Sequence, residues 1–313
     1  MNTARKIIID TDPGQDDAVA ILLALASPEL DVLALTVVAG NVPLPHTTRN
    51  AREICELAGR GNVPIFAGCD APLKRKLVTA ENVHGKTGLD GITLPDPTMP
   101  LASGHAVDYL IETLRHEPAG SVTLCPIGPL TNIATAFQKA PDIVARVAEI
   151  VLMGGAYFEV GNVTPSAEFN IFVDPEAAEI VFTSGAPLVV MPLDATHKAL
   201  TSRDWVEAMR GLGTKVGRAV ASWTDFFERY DTAKYGSQGA PLHDPCVIAY
   251  LLQPKLFAGR HVHVAIELEG RHTTGMTVAD WWRVTKNAPN ALFINAIDRD
   301  AFFALLTERL ARL

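Results

Sequence analysis

The 313-residue sequence has few cysteines, no cluster of basic residues and no long apolar segment. Its four cysteines are scattered without CxxC spacing and indicate reduced, mostly buried thiols, as is usual in cytoplasmic proteins. The formal net charge is −8 and no Lys/Arg-rich block is present, so neither nucleic acid nor an anionic membrane surface is expected as a partner. The apolar run 18–26 is far too short to span a bilayer, and the acidic cluster before it is unlike a signal peptide. We therefore expect a cytoplasmic protein that does not cross a membrane.

Apolar strand-like runs alternate with helical patterns over the first two thirds of the chain. The predicted strands are 6–10, 31–38, 64–67, 121–125, 149–153 and 187–191, and the predicted helices are 16–26, 47–58, 104–116, 129–137 and 175–183. A mainly helical part up to about residue 252, a short β-rich part at 261–278 and a final helix at 298–310 follow. Apolar strands between helices indicate a buried, mostly parallel sheet. We predict a single α/β domain over residues 1–313, with this sheet at its centre and helices on both sides.

Four aspartates lie within eight positions in the sequence DTDPGQDD, directly after the first predicted strand. Asp10 and Asp12 leave the strand on the same face, a Pro-Gly turn follows, and Asp16 and Asp17 open the next helix. Helix capping explains Asp16 alone. Like charges at this spacing raise each other's pKa, and no lysine or arginine lies between residues 7 and 26. We therefore predict a bound divalent cation, and the all-oxygen ligands favour Ca²⁺ or Mg²⁺ over zinc.

Two familiar motifs with related sequences do not fit this segment. An EF-hand loop needs glycine at its sixth position and glutamate at its twelfth, whereas here glycine is fifth and the twelfth residue is Ile21. The GxxxxGK[ST] sequence of a phosphate-binding P-loop does not occur. Aspartyl-phosphate phosphatases also carry DxD after a first strand, but the PGQDD continuation is not theirs, and they stay only an alternative.

The segment DTDPGQDDA resembles the signature of the inosine-uridine preferring nucleoside hydrolases, which cleave the N-glycosidic bond of ribonucleosides. Further segments agree in the family's order: VAGN at 38–41, HGKTGLDG at 84–91, PIGPLTNIA at 126–134, MGGA at 153–156, GNVTPSAEFNIFVDPEAA at 161–178 and HDP at 243–245. The resemblance covers nearly the whole chain. It implies the nucleoside hydrolase fold, with a Rossmann-like core, and usually a homodimer or homotetramer.

The resemblance also implies a role for individual residues. The ligands of Ca²⁺ would be Asp12, Asp17, Asp244 and the backbone carbonyl of Ile127. Asp12 would also be the general base, and Asp10 would support the loop from behind. The implied substrate contacts are Asp16, Asn41, His84, Met153, Asn162, Glu168, Phe169, Asn170 and Tyr235. This set suits the chemistry, because a large cation can chelate the vicinal hydroxyls of ribose and lower the pKa of a water that it binds.

Two histidines and one variable segment are left with open alternatives. His243 precedes a predicted metal ligand and has a titration range suited to protonating the departing base, but a lone histidine is more often structural. His84 is expected to approach the base from the other side. The segment 226–244 is expected to form a mobile helix or flap over the base, with Tyr230 and Tyr235 as aromatic candidates. The preference for purine or pyrimidine therefore stays open.

The sequence thus predicts a Ca²⁺-dependent ribonucleoside hydrolase, an N-ribosyl hydrolase that releases nucleobase and ribose in nucleoside salvage. One alternative is a hydrolase of another N-riboside, such as a nicotinamide riboside-like substrate. A second alternative is a ribose- or nucleoside-binding protein that has lost turnover. The presence of both Asp12 and Asp244 favours an enzyme.

Overall fold

An eight-stranded sheet forms the centre of the molecule in the computed structural model, which describes residues 4–236 and 239–313, without the side chains of residues 231 and 235. The strands are β1 (Arg5–Thr11), β2 (Leu30–Val37), β3 (Ile65–Ala67), β4 (Val122–Pro126), β5 (Val147–Met153), β6 (Leu188–Met191), β7 (Phe257–Val262), β8 (Val264–Ile266), β9 (Thr277–Ala279) and β10 (Ala291–Ile297). The order in the main sheet is β3-β2-β1-β4-β5-β6-β10-β7, and β8 pairs with β9 separately. All pairs in the main sheet are parallel except β10 with β7.

Helices cover both faces of this sheet. They are α1 (Gln15–Leu25), α2 (Leu44–Leu57), α3 (Glu81–His84), α4 (Ala106–His116), α5 (Thr131–Lys139), α6 (Phe169–Val173), α7 (Pro175–Phe182), α8 (Leu193–Thr196), α9 (Arg203–Gly211), α10 (Lys215–Tyr235), α11 (Pro245–Leu252) and α12 (Arg299–Leu310), with 3₁₀ turns at Pro141–Arg146 and Pro254–Leu256. Two apolar clusters fill the space between helices and sheet, one on each face. None of the described helices combines the length and apolar character that a membrane crossing requires. The predicted α/β class, with a mostly parallel central sheet flanked by helices, is confirmed.

The first helix explains why the aspartate cluster is shielded from water. Every residue of α1 is buried, because the helix packs against α2, α10, α11 and α12. Ile7, Ile8 and Ile9 on β1 are fully buried as well, as expected for a central strand that has helices on both faces. The Asp12–Asp17 turn between β1 and α1 therefore lies inside the molecule.

The predicted elements overlap the observed ones, with one error. Each of the six predicted strands and five predicted helices has a counterpart shifted by a few residues at most, and α12 matches the predicted final helix. The predicted β-rich part, 261–278, omits β10, a strand of the main sheet between β6 and β7, and includes only the last two residues of β7. Its sequence ALFINAI has a short apolar run after a polar stretch, and only its pairing with β6 identifies it as a core strand. Three of the four free cysteines are buried, as predicted.

Candidate active site

The predicted site residues follow the carboxyl ends of neighbouring parallel strands. Asp12 comes directly after β1, Ile127 directly after β4, and Met153 is the last residue of β5. Since β1 lies between β2 and β4, the chain leaves β1 and β4 in opposite directions, which opens a crevice at this edge of the sheet. Asp244 enters the same crevice immediately before α11.

The turn after β1 holds Asp12 in one orientation. Its Oδ2 accepts a hydrogen bond from the main-chain nitrogen of Asn41 at 2.7 Å, and the Asn41 side chain donates to the main-chain oxygen of Asp12 at 3.1 Å. Gly40 and Gly128 lie so close to the carboxylate that a Cβ at either position would overlap it. The other oxygen, Oδ1, is buried without a hydrogen-bond partner among the described residues. An orphaned buried carboxylate oxygen needs a compensating ligand.

Asp17 is fixed by the same turn and lies in a group of three carboxylates. It accepts from Thr11 Oγ1 at 2.6 Å and from the main-chain nitrogen of Gly14 at 2.9 Å. One carboxylate oxygen each from Asp16, Asp17 and Asp244 lies within 4.8 Å of the other two, a spacing that could hold a metal ion. Asp16, predicted as a sugar contact, is therefore beside the predicted ligands. Asp12 is outside this group of three but is linked to it, because the Asn41 amide also donates to Asp17 at 3.2 Å.

Burial makes this carboxylate group electrostatically unfavourable in the absence of a cation. It raises the pKa of Asp12 well above the usual range, and the charge of Asp17 adds to the effect. The pKa of Asp244 is likewise raised well above its usual range by burial and by the charges of Asp16 and Asp17. Burial, and then the charge of Asp17, raises the pKa of Asp16 to about 7. A divalent cation would reverse these shifts.

Asp10 and Asn170 hold the main chain of Ile127, Asp10 at its nitrogen and Asn170 at its carbonyl oxygen. The Ile127 nitrogen donates to the main-chain oxygen of Asp10 at 2.8 Å, while the Asn170 amide donates to the Ile127 oxygen at 3.1 Å and to the Met153 oxygen at 3.3 Å. The Asp10 carboxylate accepts from Thr36 Oγ1 at 2.6 Å and is fully buried, and burial raises its pKa to about 7. The main chain of Asp10 thus holds Ile127, and its carboxylate is buried behind the loop.

Glu168 caps the N-terminus of α6 as well as lining the crevice. Its carboxylate accepts from the main-chain nitrogens of Gly155 and Asn170 at 2.9 Å each, and of Ile171 at 3.2 Å. Burial raises the pKa of Glu168 to about 7 in spite of these three donors. Beside it, Asn162 Oδ1 accepts from the Phe169 nitrogen at 2.9 Å. The segment 161–170 is therefore held together by its own side chains.

A cavity of about 910 Å³, counted with its open mouth, extends from the carboxylates to α10. It is lined by Asp16, Asn41, Thr79, Ala80, Asn82, Val83, His84, Ile127, Met153, Asn162, Val163, Glu168, Phe169, Asn170, His197, Phe227, Tyr230, Lys234, His243 and Asp244. The structure thus brings eleven of the predicted site residues to the wall of one cavity, and Asp12, Asp17 and Asp10 lie behind them. The side chain of Tyr235, also predicted as a contact, is outside the described part of the chain.

The two predicted histidines lie on the cavity wall and are both buried. His84 Nδ1 is 2.6 Å from Gln15 Oε1, and its ring stacks on Phe227 with 5.5 Å between the centroids. Burial lowers the pKa of His84 to about 4. His243 Nδ1 is 2.7 Å from Thr196 Oγ1, and burial, followed by the charges of the neighbouring histidines, lowers the pKa of His243 well below its usual range. Both rings are therefore neutral near pH 7.

Sequence reasoning missed several residues of the cavity wall. Phe227 and Lys234 on α10, together with Tyr230, are three, four and seven positions apart, which is the spacing of one helix face. His197 lines the cavity and Thr196 contacts His243 from behind the wall. Both lie within six residues of the end of β6, so their position after a strand was a usable signal. Gln15 lies inside the aspartate signature but contacts His84 only through folding, and the sequence gives no sign of that pair.

Comparison with known proteins decides the family. The family model described as inosine-uridine preferring nucleoside hydrolase matches residues 7–304. The chain belongs to this family. The fold and the N-ribosyl hydrolase class expected from the sequence are thereby confirmed.

Relatives in this nucleoside hydrolase family match the chain over almost its full length. An uncharacterized protein of Schizosaccharomyces pombe is 51% identical over 98% of this chain and 99% of its own. The pyrimidine-specific ribonucleoside hydrolase RihA of Salmonella agona is 48% identical over 98% of each chain. Among solved structures, a purine-preferring ribonucleoside hydrolase from Gardnerella vaginalis has a TM-score of 0.92 at 33% identity, covering 98% of each chain. A plant nucleoside hydrolase, PpNRh1, has a TM-score of 0.92 at 36% identity, covering 99% of each.

Proposed function

We propose that the protein hydrolyses the N-glycosidic bond of pyrimidine ribonucleosides in nucleoside salvage, with Ca²⁺ as cofactor. The observation that carries this proposal is the group of carboxylates at one end of a nucleoside-sized cavity, beside a buried oxygen of Asp12 that accepts no hydrogen bond from the described residues. The pyrimidine preference is supported by the 48% identity to RihA, against 33% to the purine-preferring structure. We further propose a cytoplasmic homo-oligomer, a dimer or a tetramer, as is usual in the family.

The donor set fits a hard cation. Asp12, Asp17, Asp244 and the carbonyl of Ile127 offer only oxygen atoms, which Ca²⁺ prefers over nitrogen or sulfur. The Ile127 oxygen accepts one hydrogen bond, from Asn170, and a carbonyl has a second lone pair for a metal. Bound there, the cation would chelate the ribose hydroxyls and make water a stronger nucleophile. The buried aspartates would then be ionised at neutral pH.

The side chains around the carboxylates divide into three proposed roles. Asp12, whose Oδ1 has no hydrogen-bond partner in the described part of the chain, is the general base that takes a proton from the attacking water. Asp16, Asn41 and Asn170 hydrogen-bond the ribose hydroxyls, and the bond to Asp16 strengthens as positive charge develops on the sugar. The remaining proposed sugar contacts are Asn162 and Glu168 at the 5′-hydroxyl, with Met153 and Phe169 against the ring.

The proposal assigns both histidines to the nucleobase. We propose that His243 donates a proton to the departing base and that His84 contacts the base from the opposite wall. Since the pKa of each ring is lowered by burial, each is neutral and donates through only one nitrogen. Tyr235, on the flap, stays a proposed base contact.

The deciding experiment follows free ribose from uridine, cytidine, inosine and guanosine, with and without a strong chelator. We expect uridine and cytidine to be hydrolysed with a higher kcat/KM than the purine nucleosides. Chelation is expected to abolish turnover, and Ca²⁺ to restore it better than Zn²⁺. Asp12→Asn keeps an oxygen but cannot take a proton, and is expected to lower kcat by about 10²–10⁴-fold or more.

Two outcomes would contradict the proposal. Full activity in protein that elemental analysis shows to be free of metal would exclude the cofactor role. Tight binding of Ca²⁺ and ribose without turnover of any nucleoside or other N-riboside would identify a binding protein instead of an enzyme.

A further inference from the structure

Lys234 lies at the mouth of the cavity, in the last turn of α10. Among the described residues that line the cavity it is the only lysine or arginine. Its Nζ donates to the main-chain oxygen of Asn162 at 2.7 Å and to the phenol oxygen of Tyr230 at 2.8 Å. These two bonds hold the ammonium group between α10 and the segment that carries Asn162, although the residue as a whole is exposed. A fixed cation thus forms part of the wall.

The bond to Asn162 places this cation on the sugar side of the mouth. The Asn162 side chain accepts from the nitrogen of Phe169, whose neighbours Glu168 and Asn170 both line the cavity. In the proposed function these residues contact the ribose, and the inference made here rests on that function. In that function the ammonium group would lie on the sugar side of the cavity, near the part of the base that adjoins the glycosidic bond.

Pyrimidines and purines differ in chemistry at this part of the base. Uracil and cytosine both carry a carbonyl oxygen, O2, on the carbon next to the glycosidic nitrogen N1. When the bond from C1′ to N1 breaks, the electron pair stays with the base and negative charge spreads from N1 to O2. A purine has no carbonyl group next to N9, and the charge spreads over its imidazole ring. A cation close to O2 therefore binds the departing pyrimidine more strongly than the intact nucleoside, which lowers the barrier.

We propose that Lys234 is a specificity-determining residue, which donates a hydrogen bond to a carbonyl oxygen next to the glycosidic nitrogen as the base departs. Uridine and cytidine differ at C4 but share O2, so Lys234 accelerates both to the same extent. Lys234 therefore favours uridine and cytidine over inosine, because the base of inosine has no carbonyl oxygen next to its glycosidic nitrogen.

The test compares Lys234→Met with wild type on five substrates: uridine, cytidine, inosine, and the ribosides of 2-pyridone and 4-pyridone. The two pyridones differ only in whether the carbonyl group is next to the glycosidic nitrogen. We expect kcat/KM to fall about 10- to 100-fold on uridine, cytidine and 2-pyridone riboside, as for the loss of one charge-assisted hydrogen bond. Inosine and 4-pyridone riboside are expected to lose less than about 3-fold. The matched control is Lys215→Met, an exposed residue of the same helix that does not line the cavity, which changes none of the five rates.

An equal loss on all five substrates would overturn the proposal, because it would mean that Lys234 only holds the mouth in shape. Lys234→Gln, which keeps donor hydrogens without the charge, is measured in parallel, and thermal melting identifies any variant that is misfolded. The glutamine variant is expected to show the same substrate order with a smaller loss; a uniform loss in both variants counts against the proposal. If the wild-type protein hydrolyses none of the five, the proposed function itself has failed.

Discussion

Thr196 and His243 form a buried hydrogen bond that fixes the orientation of the histidine ring. Thr196 Oγ1 lies 2.7 Å from His243 Nδ1, so Nε2 is the nitrogen left for the cavity that His243 lines. Burial lowers the pKa of His243 and keeps the ring neutral. If the Thr196 hydroxyl donates to Nδ1, the single ring proton resides on Nε2, where a departing base can take it.

His243→Ala is expected to slow uridine hydrolysis about 10²-fold or more, since a positioned acid contributes about 10²–10⁴-fold. A p-nitrophenyl riboside is expected to be affected far less, because its leaving group departs without protonation. Steady-state kinetics on the two substrates measures the difference. Thr196→Val is the matched variant that removes only the hydrogen bond to the ring, and a smaller loss with the same substrate order is expected. Equal losses on both substrates would assign His243 a positioning role instead.

The raised pKa of Glu168 predicts how the stability of the protein depends on pH. Burial raises its pKa from 4.5 to about 7, so the folded protein binds this proton more strongly than the unfolded chain. The resulting stabilisation is complete below pH 4.5 and is lost as the pH rises through about 7. The upper limit of this stabilisation is about 3.4 kcal/mol, at 1.36 kcal/mol per pKa unit. The measurement is the free energy of unfolding of wild type and of Glu168→Gln, from denaturant titrations of chelator-treated protein. The difference, wild type minus variant, is expected to decrease from pH 4.5 to 8. A difference that is constant over this range would show that the pKa is not raised.

β10 is an inner strand of the main sheet that its own sequence does not reveal. It lies between β6, to which it is parallel, and β7, to which it is antiparallel. Phe293 in the middle of the strand is fully buried in the apolar cluster on one face of the sheet. The edge strand β7 is attached to the sheet only through β10.

Phe293→Ala is expected to lower the free energy of unfolding by about 3–5 kcal/mol, because it leaves a cavity under the sheet. Val284→Ala, at a position that is 86% exposed, is the control and is expected to change it by less than about 0.5 kcal/mol. Denaturant unfolding followed by circular dichroism measures both. A loss of less than 1 kcal/mol for Phe293→Ala would mean that β10 contributes little to the core.

The contrast between β1 and β10 shows what the sequence could predict. β1 combines a run of isoleucines with the aspartate signature, so both the strand and the carboxylates after it could be placed in advance. β10 became recognisable only through its pairing with β6, which joins residues about 100 positions apart along the chain. The same holds within the site: Asp17 is local to its turn, whereas the pairs Gln15–His84 and Lys234–Asn162 depend on how distant elements pack. Patterns along a sequence carry no information on such pairs.

At the scale of the whole molecule, a bound cation would relieve several unfavourable charges at once. We therefore expect Ca²⁺ to stabilise the chelator-treated protein, by about 2.7 kcal/mol when its concentration is 100 times the dissociation constant. Differential scanning calorimetry with and without Ca²⁺ measures this as an upward shift in Tm of several degrees. Asp17→Ala is expected to remove the shift. The same shift in this variant would show that calcium binds elsewhere on the protein.

The central position of β1 also bears on how the enzyme is made. β1 leaves the ribosome long before its neighbour β4, because Lys6 on β1 is in register with Val122 on β4. Asp244, which lies in the same crevice as Asp12, leaves the ribosome on the order of tens of seconds after Asp12 at ordinary rates of translation. Until then the aspartates of the turn remain hydrated and ionised on an incomplete chain. We therefore expect a product that is cut short before residue 244 to carry the complete aspartate signature without hydrolase activity.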